Sequence, residues 1–238
     1  MAPIILHHYP PSLFSEKIRL LLGYLGLEWR SVIIPPTMPR PALMPLTGGY
    51  RRTPVMQEGA DIYCDSRIIA ERLAARAGRP ELCAGFLANR VAEWADSHLF
   101  RIGVAIMFQP RAMVATMKGL SATDLATFQK DRAELSKGAT LVSISPDAAE
   151  SHLRGYLTEL DASLDHPFLF GAEPTIADFS VYHCLWFVAN NAIVAPILAD
   201  YPKVTAWRAR MAAFGHGRFT EMSAEEASRW VATRGPPW

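Results

Sequence analysis

Apolar residues open the chain as an unbroken run, Ile4-Ile5-Leu6, and then change period, recurring at Ile18, Leu21, Leu22 and Leu25. The run predicts a short buried strand reaching about His8. The later spacing is one stripe of an amphipathic helix that starts near Phe14 and ends at Gly26, a C-cap. Trp29 to Ile34 reads as a second strand, completing an opening β-α-β. Five prolines between positions 35 and 45 remove amide donors and fix φ, so this stretch is irregular or carries only a short, poor helix. Thr47-Gly48-Gly49-Tyr50 is a turn. Val55-Met56-Gln57 and Ala60-Asp61-Ile62-Tyr63 flank Glu58-Gly59 as a β-hairpin. Asp65 or Ser66 then caps a helix running to about Ala77, with Ile69 and Leu73 facing inward.

After Gly78 the pattern becomes helical throughout. Gly78, Pro80 and Gly85 mark residues 80–88 as a linker, dividing the chain into an α/β domain (1–79) and an all-helical domain (89–238). Val91, Trp94, Ala95, His98 and Ile102 mark one long helix continuing towards Met107. Further helices are expected over Leu120 to Lys137, Ala148 to Leu164, Thr175 to Ala189 and Tyr201 to Phe214. Ser223-Ala224-Glu225-Glu226 is a capping box for a last one. The terminal Arg234-Gly235-Pro236-Pro237-Trp238 leaves a tether, a lid or a packed end equally open.

Composition narrows the function classes. With 50% hydrophobic and 20% charged residues in 238, the chain is long and apolar enough to bury a sizeable core. A net charge of +1 offers no basic surface for nucleic acid or an anionic membrane. No apolar run reaches the length of a membrane span, and no basic, apolar leader stands at the N-terminus. Cys64, Cys83 and Cys184 lie far apart with no metal-ligand spacing, a poor disulfide framework that fits cytoplasmic residence. No metal site is expected.

The chemistry concentrates in three places. Ser12 stands where the first strand gives way to a helix, Pro54 follows Thr53 at the hairpin, and Asp65-Ser66 heads the next helix. A hydroxyl at a helix start, a backbone edge held by proline and a helix N-terminus suited to an anion together outline a pocket for a thiol peptide.

These residues carry a resemblance. Ser12-Leu13-Phe14-Ser15-Glu16-Lys17-Ile18-Arg19 resembles the active-site helix start of cytosolic glutathione transferases. Thr53-Pro54-Val55 is similar to their cis-proline motif, Asp65-Ser66 to their acid-serine pair, and Thr175-Ile176-Ala177-Asp178 to their central capping box. Leu13 stands where proline is common, and Thr53 where an aliphatic residue is frequent. The resemblance implies a thioredoxin-like α/β N-terminal domain followed by an all-α C-terminal bundle. It also implies glutathione as co-substrate, a small hydrophobic second substrate, a homodimer and a detoxifying transferase.

Carried onto this sequence, Ser12 would stabilise the glutathione thiolate, with Ser15 as the alternative donor. A free thiol titrates near 8.5, and a hydrogen bond to a charged acceptor, about 1.5–3 kcal/mol, lowers that by about one to two units. Thr53, beside cis-Pro54, would pair its main chain with the cysteinyl unit. Asp65 and Ser66 would take the γ-glutamyl end. Arg40, or Arg52, would meet the glycyl carboxylate. Trp94, His98, Ile102 and Met107 are mostly core, with some able to line an apolar co-substrate pocket. Two other functions share the resemblance. Thiol–disulfide exchange needs a cysteine where Ser12 stands. A non-catalytic ligand-binding or scaffold protein needs only the fold.

Overall fold

The computed structural model describes residues 2–116, 121–137 and 144–232. Leu120, the expected start of a helix, and the Arg234–Trp238 tail lie outside them. One compact unit holds the chain up to Ala84 together with the tail from Ala212, and a second runs Gly85–Met211.

In the first unit β1 (Ile4–His8) leads through α1 (Leu13–Tyr24) to β2 (Trp29–Ile33), which pairs with β1 in parallel. A parallel pair needs a crossover, and α1 supplies it. The proline-rich stretch holds only α2 (Met44–Thr47), a single turn, as the missing amides require. The hairpin β3 (Val55–Glu58) and β4 (Asp61–Cys64) follows, with β3 antiparallel to β1, and then α3 (Ser66–Arg76). Ile5, Val32 and Val55 form one apolar cluster with Ala227 near the chain's end. Their neighbours Ile4 and Leu6 are equally buried and point to the opposite face. α1 packs on α3, with Ile18, Leu21, Leu22, Ile69 and Leu73 fully enclosed.

The second unit begins with α4 (Phe86–Trp94), which passes through a π turn, Ala95–Leu99, into α5 (Phe100–Met107). The long helix read from the apolar stripe is therefore present, with a wider turn inside it. α6 (Pro110–Thr116), α7 (Ala122–Ser136), α8 (Pro146–Ser163), α9 (Ile176–Ala189) and α10 (Pro202–Ala212) complete it. The α9 start is held as its sequence promised. The Asp178 carboxylate accepts from the Thr175 and Leu169 amides, both at 2.9 Å, and from the Trp207 indole at 3.0 Å.

Past Ala212 the chain departs from the expected all-helical domain. β5 (Phe219–Glu221) adds to the sheet parallel to β2, and α11 (Ala224–Ala232) follows, so the strand order is β4-β3-β1-β2-β5. Three exposed residues make β5, held by main-chain bonds, so no hydrophobic alternation announces it.

Candidate functional site

Register puts the three chemical segments at one end of the sheet. His7 of β1 pairs with Val55 of β3, which pairs with Cys64 of β4. The residues just beyond those ends are the loop to Ser12, Thr53-Pro54 ahead of β3, and Asp65-Ser66 after β4.

Ser12 is the N-cap of α1. Its Oγ accepts from the Ser15 amide at 3.3 Å, and its own amide donates to Tyr9 O at 3.1 Å. That geometry uses the hydroxyl as an acceptor and leaves its proton for another partner. Ser15 is fully buried one turn on, and its Oγ meets no hydrogen-bond partner among the described residues.

The Thr53–Pro54 peptide is cis, as the motif implied, and Met38–Pro39 is a second cis bond with no counterpart in the sequence reading. Thr53 lies outside the strands, and neither its amide nor its carbonyl bonds to main chain among the described residues. Its edge is thus able to accept an added strand.

Arg40 is tied into the loops around it. Nε donates to Pro35 O (2.8 Å), Nη1 to Arg51 O (2.7 Å) and Thr53 Oγ1 (2.9 Å), and Nη2 to Pro36 O (3.0 Å). Its guanidinium also lies over the Tyr9 ring, 5.8 Å from the centroid. At least four of its five donors are therefore committed to protein groups, and the residue braces the Ser12 loop against the Thr53 loop. Arg52 is exposed, with no ion-pair partner among the described residues.

Asp65 caps α3, its Oδ1 accepting from the Arg67 amide at 2.8 Å, and Ser66 is buried in the first turn. Asp65 holds φ at 83°, a region that side chains with a Cβ rarely enter. Such strain concentrates at binding sites, where the surroundings fix it. The Tyr50 phenol is pushed above its ordinary range by burial and then by the Asp65 charge, and Cys64 likewise.

Sequence reading missed the polar cluster behind Ser12. Arg19 Nη2 donates to Glu16 Oε2 (2.7 Å) and Pro10 O (2.9 Å), and Nη1 to His8 Nδ1 (3.0 Å). His8 Nε2 meets Ser31 Oγ at 2.9 Å, and His216 Nε2 lies 3.0 Å from Glu16 Oε2. Glu16 and Arg19 sit at i, i+3 on α1 like a surface pair. Only their place at the buried helix end distinguishes them. In the second unit Ile102 and Met107 are core. Trp94 lines an apolar cavity of about 210 Å³ with Leu153, Tyr156 and Leu157, and His98 bonds Tyr156 Oη at 3.2 Å. Among the described residues no three His, Cys, Asp or Glu side chains gather as a metal site, and no helix is long and apolar enough to cross a membrane.

A five-stranded mixed sheet with a cis-proline edge and a helix-capping serine at the same end, followed by a helical unit, defines a thioredoxin-like fold with an appended bundle. Residues 6–81 match the family described as glutathione S-transferase, N-terminal domain, and residues 130–210 its C-terminal domain. A GST-like protein from Pseudomonas syringae is 40% identical, with a TM-score of 0.74 over 100% of this chain and 76% of that one. A glutathione S-transferase from Rhodospirillum rubrum F11 superposes at a TM-score of 0.64 with 19% identity, over 88% of each chain. Poplar glutathione transferase F1 does so at 0.59 with 15% identity, over 89% of this chain and 93% of that one; both likenesses concern the fold. Comparison with curated proteins gave no match. The chain belongs to the glutathione S-transferase family.

Proposed function

We propose that the protein binds glutathione at the Ser12, Thr53 and Asp65-Ser66 end of its sheet and activates the thiol for attack on a small apolar electrophile or peroxide. The observation that carries this reading is the register. It aligns three segments across two strand spacings, about 10 Å, the length of an extended tripeptide at about 3.3 Å a residue.

Thr53 offers its main chain to the cysteinyl unit. Ser66 and the first amides of α3 meet the γ-glutamyl carboxylate, and the Asp65 carboxylate its ammonium. Arg40, which holds Thr53, meets the glycyl carboxylate, with the exposed Arg52 as the alternative cation. Ser12, whose acceptor side is taken by the Ser15 amide, donates a hydrogen bond to the thiolate while keeping its proton, and forms no covalent bond. The thiolate forms a bond to the electrophilic carbon, whose leaving group departs with the electron pair. With a peroxide, the thiolate forms an S–O bond as the O–O bond breaks and the distal oxygen leaves as an alkoxide that takes a proton from water; a second glutathione then attacks the sulfenic acid, giving the disulfide and water.

Calorimetry of glutathione with the wild type and Ser66→Ala tests the site. Micromolar to low-millimolar affinity, weakened about tenfold by the change, supports it; no binding up to about 10 mM overturns it. Turnover of model electrophiles then separates an enzyme from a ligand-binding protein of the same fold. Family resemblance also supports a cytoplasmic homodimer with a detoxifying role, and sedimentation reads the oligomeric state.

A further inference from the structure

The described tail of the chain returns to the helix that carries Ser12, and does so through a close backbone approach. Gly23 lies in the last turn of α1, and a Cβ there would stand 2.1 Å from Gly215 O and 2.7 Å from Phe214 O. Gly217 turns with φ +65°, its own Cβ position 3.2 Å from Gly23 Cα. Between these glycines His216 is anchored from both sides. Its carbonyl accepts from the Trp29 indole at 2.9 Å, and its Nε2 lies 3.1 and 3.0 Å from the two Glu16 oxygens.

Glu16 is enclosed, and its second partner is Arg19, which donates to it through Nε (3.1 Å) and Nη2 (2.7 Å). The same guanidinium reaches Pro10 O at 2.9 Å and Tyr9 O at 3.4 Å. Tyr9 O in turn accepts from the Ser12 amide at 3.1 Å. A chain of contacts therefore runs from His216 through Glu16 and Arg19 to the loop that aims Ser12. Nε and Nη2 of the planar Arg19 guanidinium converge on the one oxygen Glu16 Oε2, which ties the plane of the guanidinium to the carboxylate, so each link constrains the next.

We propose that His216 is a positioning residue for the thiol site. It holds Glu16, which orients Arg19, which clamps the Tyr9 and Pro10 carbonyls and so sets the direction of the Ser12 hydroxyl. This rests on Ser12 being the thiolate partner. Thiolate stabilisation depends on a hydroxyl held within a few tenths of an ångström, so a loosened loop weakens activation more than binding of the peptide's two ends.

Amide hydrogen exchange on the ligand-free protein tests the linkage without glutathione. In His216→Ala the Ser12 and Ser15 amides exchange roughly tenfold faster, while hairpin amides of β3 and β4 keep their protection. His216→Gln, whose amide can still donate to Glu16, restores the wild-type pattern. In the bound state, ultraviolet titration of the thiolate gives a pKa raised by about one unit in His216→Ala, with glutathione affinity changed less than about threefold. Unchanged Ser12 and Ser15 protection in His216→Ala overturns the proposal. So does equal loss of hairpin protection, which would mark a general loss of stability. Failure of the wild type to bind glutathione counts against the ligand, and the exchange pattern still decides the linkage.

Discussion

Ser12 and Ser15 sit one helical turn apart and make opposite demands on the free protein. Ser12 Oγ satisfies a helix-terminal amide, so Ser12→Ala removes a cap worth about 1 kcal/mol. Ser15 Oγ is buried without a partner among the described residues, a cost of about 1–3 kcal/mol that Ser15→Ala relieves. Chemical denaturation is therefore expected to find Ser12→Ala less stable by about 1 kcal/mol and Ser15→Ala unchanged or more stable by a similar amount. The thiolate gives the second axis. Ser12→Ala raises the pKa of bound glutathione by about one to two units and Ser15→Ala leaves it unchanged. A rise confined to Ser15→Ala would transfer the donor role to Ser15, whose orphaned hydroxyl would then be satisfied by sulfur.

At the scale of elements, glycines identify where close approach decides the packing. In α1 an alanine at Gly23 gains up to about 1 kcal/mol of helix propensity, but its methyl would overlap Gly215 O. Because the obstacle is backbone, Gly23→Ala is expected to destabilise by about 1–3 kcal/mol and to free the tail. Exchange at the Trp29 amide, which donates to Arg218 O, and at Met222, which donates to Ser31 O, reports that release. Gly155 on α8 is the counter-case: exposed, with nothing within 4 Å of its Cβ position, so Gly155→Ala stabilises by about 1 kcal/mol.

The same contrast explains what the sequence could reveal. α1, α3, the hairpin and α9 were legible because period, caps and turn residues all pointed one way. Ser12, Thr53 and Asp65-Ser66 were legible as motif residues. The carbonyl partners of Arg40 at 35, 36 and 51 were not legible, because loop conformation sets them and no side-chain pattern encodes it. β5 and the Glu16–His216 contact join residues about 190 and 200 positions apart, a choice made by the folded tail and invisible to local spacing.

For the whole molecule, pH separates the two units. His8 is held at about 3 by burial and then by Arg19. Arg19 can only donate, so Nδ1 must stay an acceptor and the ring proton sits on Nε2 toward Ser31. Burial also lowers His7. At Glu16 burial acts upward, but His216 and Arg19 outweigh it, and at Glu58 Arg72 and Arg76 do the same, so both carboxyls lie below their ordinary range. All four groups belong to the first unit. A lowered folded pKa means that the unfolded chain takes up its proton first. Stability is therefore full above the unfolded value, and it is lost as pH falls towards the folded one. For His8 that window runs from 6.5 down to about 3, a loss of at most on the order of 5 kcal/mol at 1.36 kcal/mol per unit. For the two glutamates it opens only below 4.5. Asp178 in the second unit has the opposite sign: burial raises its pKa, so acid does not weaken that unit through this group. Stability of the first unit is thus expected to decline from pH 6.5, well before the carboxylates begin to titrate. Denaturation curves between pH 7 and pH 5, followed at Trp29, should show this slope in the wild type and a flatter one in His8→Gln. Equal slopes in the two proteins would mean that His8 is already solvated, and that the Ser31–His8–Arg19 contacts do not persist in solution.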